Sequence, residues 1–140
     1  MIIRLANKKD AKQILSLYNN SENFNMAGDK KEIFELKDIE DYFNRDMVRI
    51  FVCEKDKKII AAVQIIVFKT YIYFNLITVS KEHQEKGIGS KLLKSVNEFA
   101  KKNKIKCIEA VTETSNIKMQ HLFEKFKYKR GHTYYSYVKE

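Results

Sequence analysis

The chain contains no proline and only four glycines. No stretch of it reads as a linker between domains, an internal repeat or a low-complexity tract. No apolar run reaches the roughly 18 residues of a membrane-spanning helix, so none is expected. The opening residues Met1-Ile2-Ile3-Arg4-Leu5 lack the basic region and long apolar region of a secretory signal. The expectation is therefore a cytoplasmic protein with no membrane partner. There are two cysteines, Cys53 and Cys107, each in an apolar strand-like run. They have neither CxxC spacing nor a nearby histidine pattern, so no metal is expected. Both are expected to be buried, reduced thiols, because free cysteine behaves as a small core hydrophobe.

What is present suits one folded domain over residues 1–140. A chain this long buries roughly 68–70% of its unfolded surface, enough for a core without covalent staples. Hydrophobic residues make up 44% and charged residues 32%, a globular rather than a disordered balance. The net charge of +9 is compatible with an anionic ligand. The lysines are scattered over turns and helix faces rather than blocked together, so nucleic acid is not expected as a partner.

Residues 2–6 read as a short strand. Asn7 and Asp10 have the spacing of a reciprocal helix cap. Ala11, Ile14, Leu15 and Tyr18 then follow at i, i+3, i+4 and i+7, one helical face. Residues 22–31 are polar and read as a loop, and a second helix is expected over residues 31–45 with Ile39, Tyr42 and Phe43 as its stripe. Residues 48–54, 59–69 and 71–79 read as an antiparallel three-stranded meander. The middle run is almost wholly apolar, as in a strand covered on both faces. Ile88, Leu92, Val96 and Phe99 mark a helix. Residues 105–112 form a strand reached through that helix and so parallel to its predecessor. Met119, Leu122, Phe123 and Phe126 mark a last helix, and residues 128–130 and 133–138 read as closing strands. The order is β-α-α-β-β-β-α-β-α-β-β, an α+β domain with a mixed central sheet flanked by helices.

The most informative stretch is Gln84-Glu85-Lys86-Gly87-Ile88-Gly89, between the strand ending at Val79 and the helix that follows. Backbone N–H groups at a helix start point at an anion, and the helix dipole has the favourable sign. Gly87 and Gly89 let the backbone approach a ligand closely. A dinucleotide fingerprint would need a third glycine where Leu92 stands, and the Gly-Lys-Ser/Thr of a P-loop is absent.

The wider pattern, Val79-x4-Gln84-x2-Gly87-Ile88-Gly89-x2-Leu92-Leu93, resembles motif A of the GNAT superfamily, the Gcn5-related N-acetyltransferases. Asn116-x2-Met119-x2-Leu122-Phe123-Glu124-Lys125-Phe126-Lys127-Tyr128 resembles its motif B, and Ile3-Arg4-x5-Asp10-Ala11 a common opening. Nearly the whole chain is covered, with the motifs in order. The resemblance implies the GNAT fold and transfer of an acetyl group from acetyl-CoA to a primary amine, by direct attack in a ternary complex. It implies that the loop amides from Gln84 through Glu85, Lys86, Gly87, Ile88 and Gly89 hold the CoA pyrophosphate, with Ser90 adding a hydroxyl. It also implies that the strand carrying Ile77 and Val79 splays from its neighbour to pair with pantetheine, one of its N–H groups polarising the thioester carbonyl. Asn116 and Phe123 belong to the same cofactor wall. Many relatives form homodimers.

The attacking amine must lose a proton. Glu113, Glu82 and His83 are candidate bases, and Asn75 or Tyr73 would position a water instead. Two positions depart from the family pattern. The family often has a tyrosine at the place of Phe123, where its hydroxyl protonates the leaving thiolate. Phe123 cannot, and Tyr128 and His121 are the alternatives. Lys127 stands where a glycine is usual. The rival readings are an acetyl-CoA-binding sensor with little catalysis, and an acetyltransferase for a protein or RNA-linked amine. Nothing in the motifs names the acceptor, whether a small-molecule or a peptide amine.

Overall fold

In the computed structural model, residues 1–21 and 33–139 are described. Five strands, β1 (Ile2–Leu5), β2 (Val48–Lys55), β3 (Lys58–Val67), β4 (Tyr71–Val79) and β5 (Cys107–Ala110), form one sheet in that order. The first four are antiparallel neighbours, and β5 runs parallel to β4. The helices are α1 (Ala11–Asn19), α2 (Leu36–Phe43), α3 (Ile88–Lys102) and α4 (Ile117–Lys125).

The helix starts follow the local chemistry. Asn7 and Asp10 form the reciprocal cap, which opens on a short 3-10 turn, Lys8–Asp10, before α1. α2 begins at Leu36, where Glu35 and Asp38 cap it. That is later than expected, although its stripe residue Ile39 is fully buried. The expected loop over residues 22–31 and the start of the expected second helix lie outside the described residues. At the β2–β3 turn, Asp56 and Lys57 both have positive φ, 50° and 64°. Two consecutive left-handed residues match the right-handed twist of the strands they join.

β3 is covered on both faces. Phe51, Cys53, Val63, Ile65, Ile72 and Phe74 pack under α3 and against Phe123 of α4. On the other face Ile50, Val52 and Ala62 pack under Ala11, Ile14, Leu17 and Tyr18 of α1 and Ile39 of α2. Leu17 rather than Leu15 completes the buried face of α1, because position 17 lies three residues from Ile14 on the side toward the sheet.

Two expectations are corrected. Residues 128–130 and 133–138 form no strands. Tyr134, Tyr135 and Tyr137 are 72%, 86% and 91% exposed. Their strand propensity finds no ladder, and a strand without a partner leaves its backbone groups to water. Cys53 is buried, but Cys107 is exposed, because it stands on the outermost strand, whose far edge pairs with no other strand among the described residues.

Candidate active site

The site is built where β4 leaves β5. The two strands pair at only four positions, from Tyr71↔Cys107 to Phe74↔Ala110. Immediately beyond, Gln64 of β3 faces Leu76 while Ile65 faces Phe74, so Asn75 is an extra, bulged residue on β4. A bulge bends its strand and shifts side-chain alternation by one. Ile72 and Phe74 face the α3 side before it, and Ile77 and Val79 face that side after it. Thr78 turns to the opposite face, where its hydroxyl donates to Ser21 Oγ at 3.0 Å. Without the bulge, the outer half of β4 would present the wrong residues to the cleft.

Past Phe74 the β5 side of β4 has no strand beside it among the described residues, so a cleft opens with β4 as one wall and the segment after β5 as the other. The 84–89 loop closes its floor. Glu85 and Gly87 both adopt left-handed conformations, φ 61° and 77°, around Lys86. Alternating conformations of this kind turn successive N–H groups into one concavity that suits an anion. Ile88, Gly89 and Ser90 open α3, and the N–H groups of a first turn have no partner inside the helix. A Cβ on Gly89 would meet Leu122 Cδ2 at 3.4 Å and Ile77 Cδ1 at 3.9 Å, so the helix start lies close against both walls. The residues present thus fit a phosphate group with an apolar arm running along Ile77.

Of the expected cofactor residues, Ile77, Val79, Gln84, Glu85, Gly87, Ile88, Gly89, Ser90, Asn116 and Phe123 all line this cleft, and so do Asn75 and Glu113. Lys86 does not: its ammonium turns back onto the Glu82 carbonyl at 3.2 Å. The cations beside the loop come instead from α4, which sequence reasoning missed. Lys118 pairs with Glu85 at 2.8 Å and Lys125 reaches Ser90 Oγ at 3.5 Å. Their signal was the seven-residue separation, which puts both on one side of the helix. Lys118 holds the Glu85 carboxyl below its ordinary range. Gln84 donates to the Val79 carbonyl at 3.1 Å, tying the loop to the end of β4.

The candidate bases are distributed over β4, the 3-10 turn after it and the segment after β5. Glu113 is exposed beyond β5, its carboxylate accepting from Ser115 Oγ at 3.4 Å. Asn75 is exposed on the bulge, and Tyr73 lies opposite Ile66. Glu82 and His83 occupy a 3-10 turn, where His83 Nδ1 is 2.8 Å from Ser80 Oγ. Asn116 caps α4 by accepting from the Met119 N–H. Phe123 is 9% exposed, packed edge-on against Phe74 and tilted against Tyr128, with ring centroids 5.4 and 5.1 Å away. The Tyr128 hydroxyl donates to Asn97 Oδ1 at 2.9 Å, and burial pushes it up to about 12. His121 is exposed. Lys127 keeps the turn expected of a glycine by adopting φ 68°.

A sequence model of the acetyltransferase (GNAT) family matches residues 12–128. The chain belongs to that family. This GNAT protein is an acetyltransferase by membership, and its fold agrees. A structure of aminoglycoside N-acetyltransferase AAC(6')-Iy in complex with CoA superposes with a TM-score of 0.78 at 15% identity, over 99% of both chains. A ribosomal-protein-alanine N-acetyltransferase from Brucella melitensis biovar Abortus 2308 gives 0.78 at 14% identity, over 99% of this chain and 97% of that one. A transcriptional regulator from Bacillus halodurans C-125 gives 0.82 at 17% identity, over 99% of both. At these identities the likeness is one of fold. No curated protein matches this sequence. No helix among the described residues is long and apolar enough to cross a membrane.

Proposed function

We propose that this single domain moves the acetyl group of acetyl-CoA to a primary amine by direct attack in a ternary complex. The observation that carries the reading is the parting of β4 from β5 at Phe74 and Ala110, directly beside the anion-suited loop at the start of α3. The pyrophosphate sits on the amides of residues 84–89, with the Ser90 hydroxyl and the Lys118 ammonium beside it. Pantetheine runs along Ile77 and Val79 and pairs with the free backbone of β4 as a strand would. Asn116, by capping α4, and Phe123, by packing against Phe74, hold the opposite wall in position. One β4 N–H polarises the thioester carbonyl, so negative charge that develops on its oxygen meets a fixed dipole.

The amine attacks as the neutral base. Its proton leaves through Glu113, or through a water held by the Asn75 amide on the bulge. The bulge supports the second route, since it leaves Asn75 without a register partner on β3 and exposed where the cleft begins. The thiol of CoA has a pKa near 8.5, so its departure as thiolate at pH 7 costs about 2 kcal/mol. Phe123 in the tyrosine position therefore slows the reaction without forbidding it. The two free cysteines support a reducing, cytoplasmic setting.

The test combines acetyl-CoA binding by calorimetry with thiol release on an amine panel of small polyamines, peptides and charged tRNA. Binding together with thiol release that needs both acetyl-CoA and an amine is expected. Binding with no turnover across the panel would assign the chain to acetyl-CoA sensing. Absence of binding would remove the reading altogether.

A further inference from the structure

Glu85 and Lys118 stand 33 residues apart in the chain and meet at the floor of the cleft, carboxylate to ammonium at 2.8 Å. Each is poorly placed for its own element. Glu85 is a non-glycine residue at φ 61°, a conformation that is costly for a residue with a Cβ. Lys118 lies in the first turn of α4, where the helix dipole disfavours a cation. Their pairing adds little to the fold, because the two side chains are 75% and 78% exposed and solvent screens such a pair. Nor does the loop need it to keep its shape. The Gln84 side chain holds the Val79 carbonyl at 3.1 Å, and the Lys86 ammonium holds the Glu82 carbonyl at 3.2 Å. Residues that break local preferences and return little stability are expected where function is served instead.

The two cations that α4 brings to the loop are not equivalent. Lys125 reaches the Ser90 hydroxyl at 3.5 Å and has no carboxylate partner among the described residues. Lys118 is neutralised by Glu85. A carboxylate set within a loop whose amides suit an anion holds an ammonium that a bound phosphate would otherwise meet. The bond is also easily given up, since exposed charges exchange partners at small cost.

We propose that Glu85 is an internal competitor for the pyrophosphate of the cofactor. Its carboxylate occupies Lys118 in the free protein, yields the ammonium to the phosphates when acetyl-CoA binds, and reclaims it as CoA leaves. The pair thereby weakens the hold on the phosphate end of the cofactor and speeds release of the product. This inference rests on the placement of acetyl-CoA given above and adds to it a residue that opposes binding.

Calorimetry at low ionic strength tests it with two ligands: acetyl-CoA, and acetyl-pantetheine, which carries the same thioester and no phosphate. Glu85→Gln keeps the shape of the side chain and removes its charge. It should bind acetyl-CoA about two- to fivefold more tightly than the parent, with acetyl-pantetheine affinity unchanged. Dissociation of CoA, followed by stopped flow, should slow by a similar factor. In a Lys118→Gln background the gain from Glu85→Gln should be smaller, because no ammonium remains to be freed. Unchanged or weaker acetyl-CoA binding in Glu85→Gln overturns the proposal, the weaker result showing that the pair braces the loop for its ligand. An equal gain with acetyl-pantetheine overturns it too, as does an equal gain without Lys118, which would leave direct repulsion as the cause. If the parent chain binds no acetyl-CoA, the cofactor reading itself falls. If the parent binds and Glu85→Gln merely matches it, this inference falls alone.

Discussion

Tyr18 of α1 donates a hydrogen bond of 3.0 Å to Gln64 Oε1 on β3, and the two side chains are 0% and 1% exposed. Two polar groups in the middle of a hydrophobic layer are tolerated because each satisfies the other. Burial also pushes the Tyr18 phenol up, which keeps the hydroxyl protonated and able to donate. Removing one partner strands the other. Tyr18→Phe and Gln64→Leu should each cost about 1–3 kcal/mol in urea unfolding, and the double variant less than their sum. Strict additivity would show that the pair does not act as a unit.

Arg4 bridges Asp10 and Glu54, with contacts of 2.8 and 2.7 Å, and so ties the cap of α1 to β2. The Arg4 hydrogen bonds hold the Asp10 carboxyl below its ordinary range, against the opposing effect of burial, with help from the Asn7 N–H. The unfolded chain therefore binds this proton more readily than the native one. The stabilisation is complete above the unfolded pKa near 4 and is lost as pH falls through the lower native value. Asp10→Asn should lower the urea midpoint at pH 7. The gap from the parent chain should narrow as pH is taken below about 4. A gap independent of pH would contradict the assignment.

Gly89→Glu sets a side chain and a negative charge at the start of α3, where the loop amides converge. Acetyl-CoA affinity should fall by about a hundredfold or more, roughly 3 kcal/mol. Because a Cβ there meets Leu122 at 3.4 Å, Gly89→Ala separates packing from charge. It should keep the circular dichroism spectrum and lose much less affinity. Retained affinity in Gly89→Glu would mean that the cofactor is held elsewhere.

Phe123→Tyr offers a hydroxyl at the family's usual acid position. The thiolate penalty at pH 7 limits the gain to about 30-fold in kcat, measured by thiol release. A rise within that limit is expected. Unchanged kcat would mean that the thiolate leaves unaided. Phe123→Ala should instead cost about 3–5 kcal/mol of stability, because the ring packs against both Phe74 and Tyr128.

Local rules made much of this legible from the residues alone. The Asn7–Asp10 cap, the α3 stripe of Ile88, Leu92 and Val96, the β2–β3–β4 meander and the parallel return to β5 all depend on spacings within a few residues. The glycine loop was readable for the same reason, since positive φ at Gly87 and the tight approach at Gly89 are written in residue type. The cations were not: Lys86 and Lys91 are near the loop in sequence, but Lys118 and Lys125 reach it through the packing of α4.

The sequence by itself determined the elements from β1 through α4, their order and the anion-suited turn, because helical and strand periodicities and glycine dihedrals are short-range properties. Tertiary structure decided the rest. The bulge at Asn75 exists only in the register between β3 and β4, and it turns Ile77 and Val79 to the side facing α3. The cleft exists only because β5 stops pairing at Ala110. The burial of Tyr18 with Gln64, the exposure of Cys107 and the unpaired state of the tyrosine-rich tail follow likewise from which surfaces meet. Strand propensity says only that a segment can pair, and the assembled sheet decides whether it does.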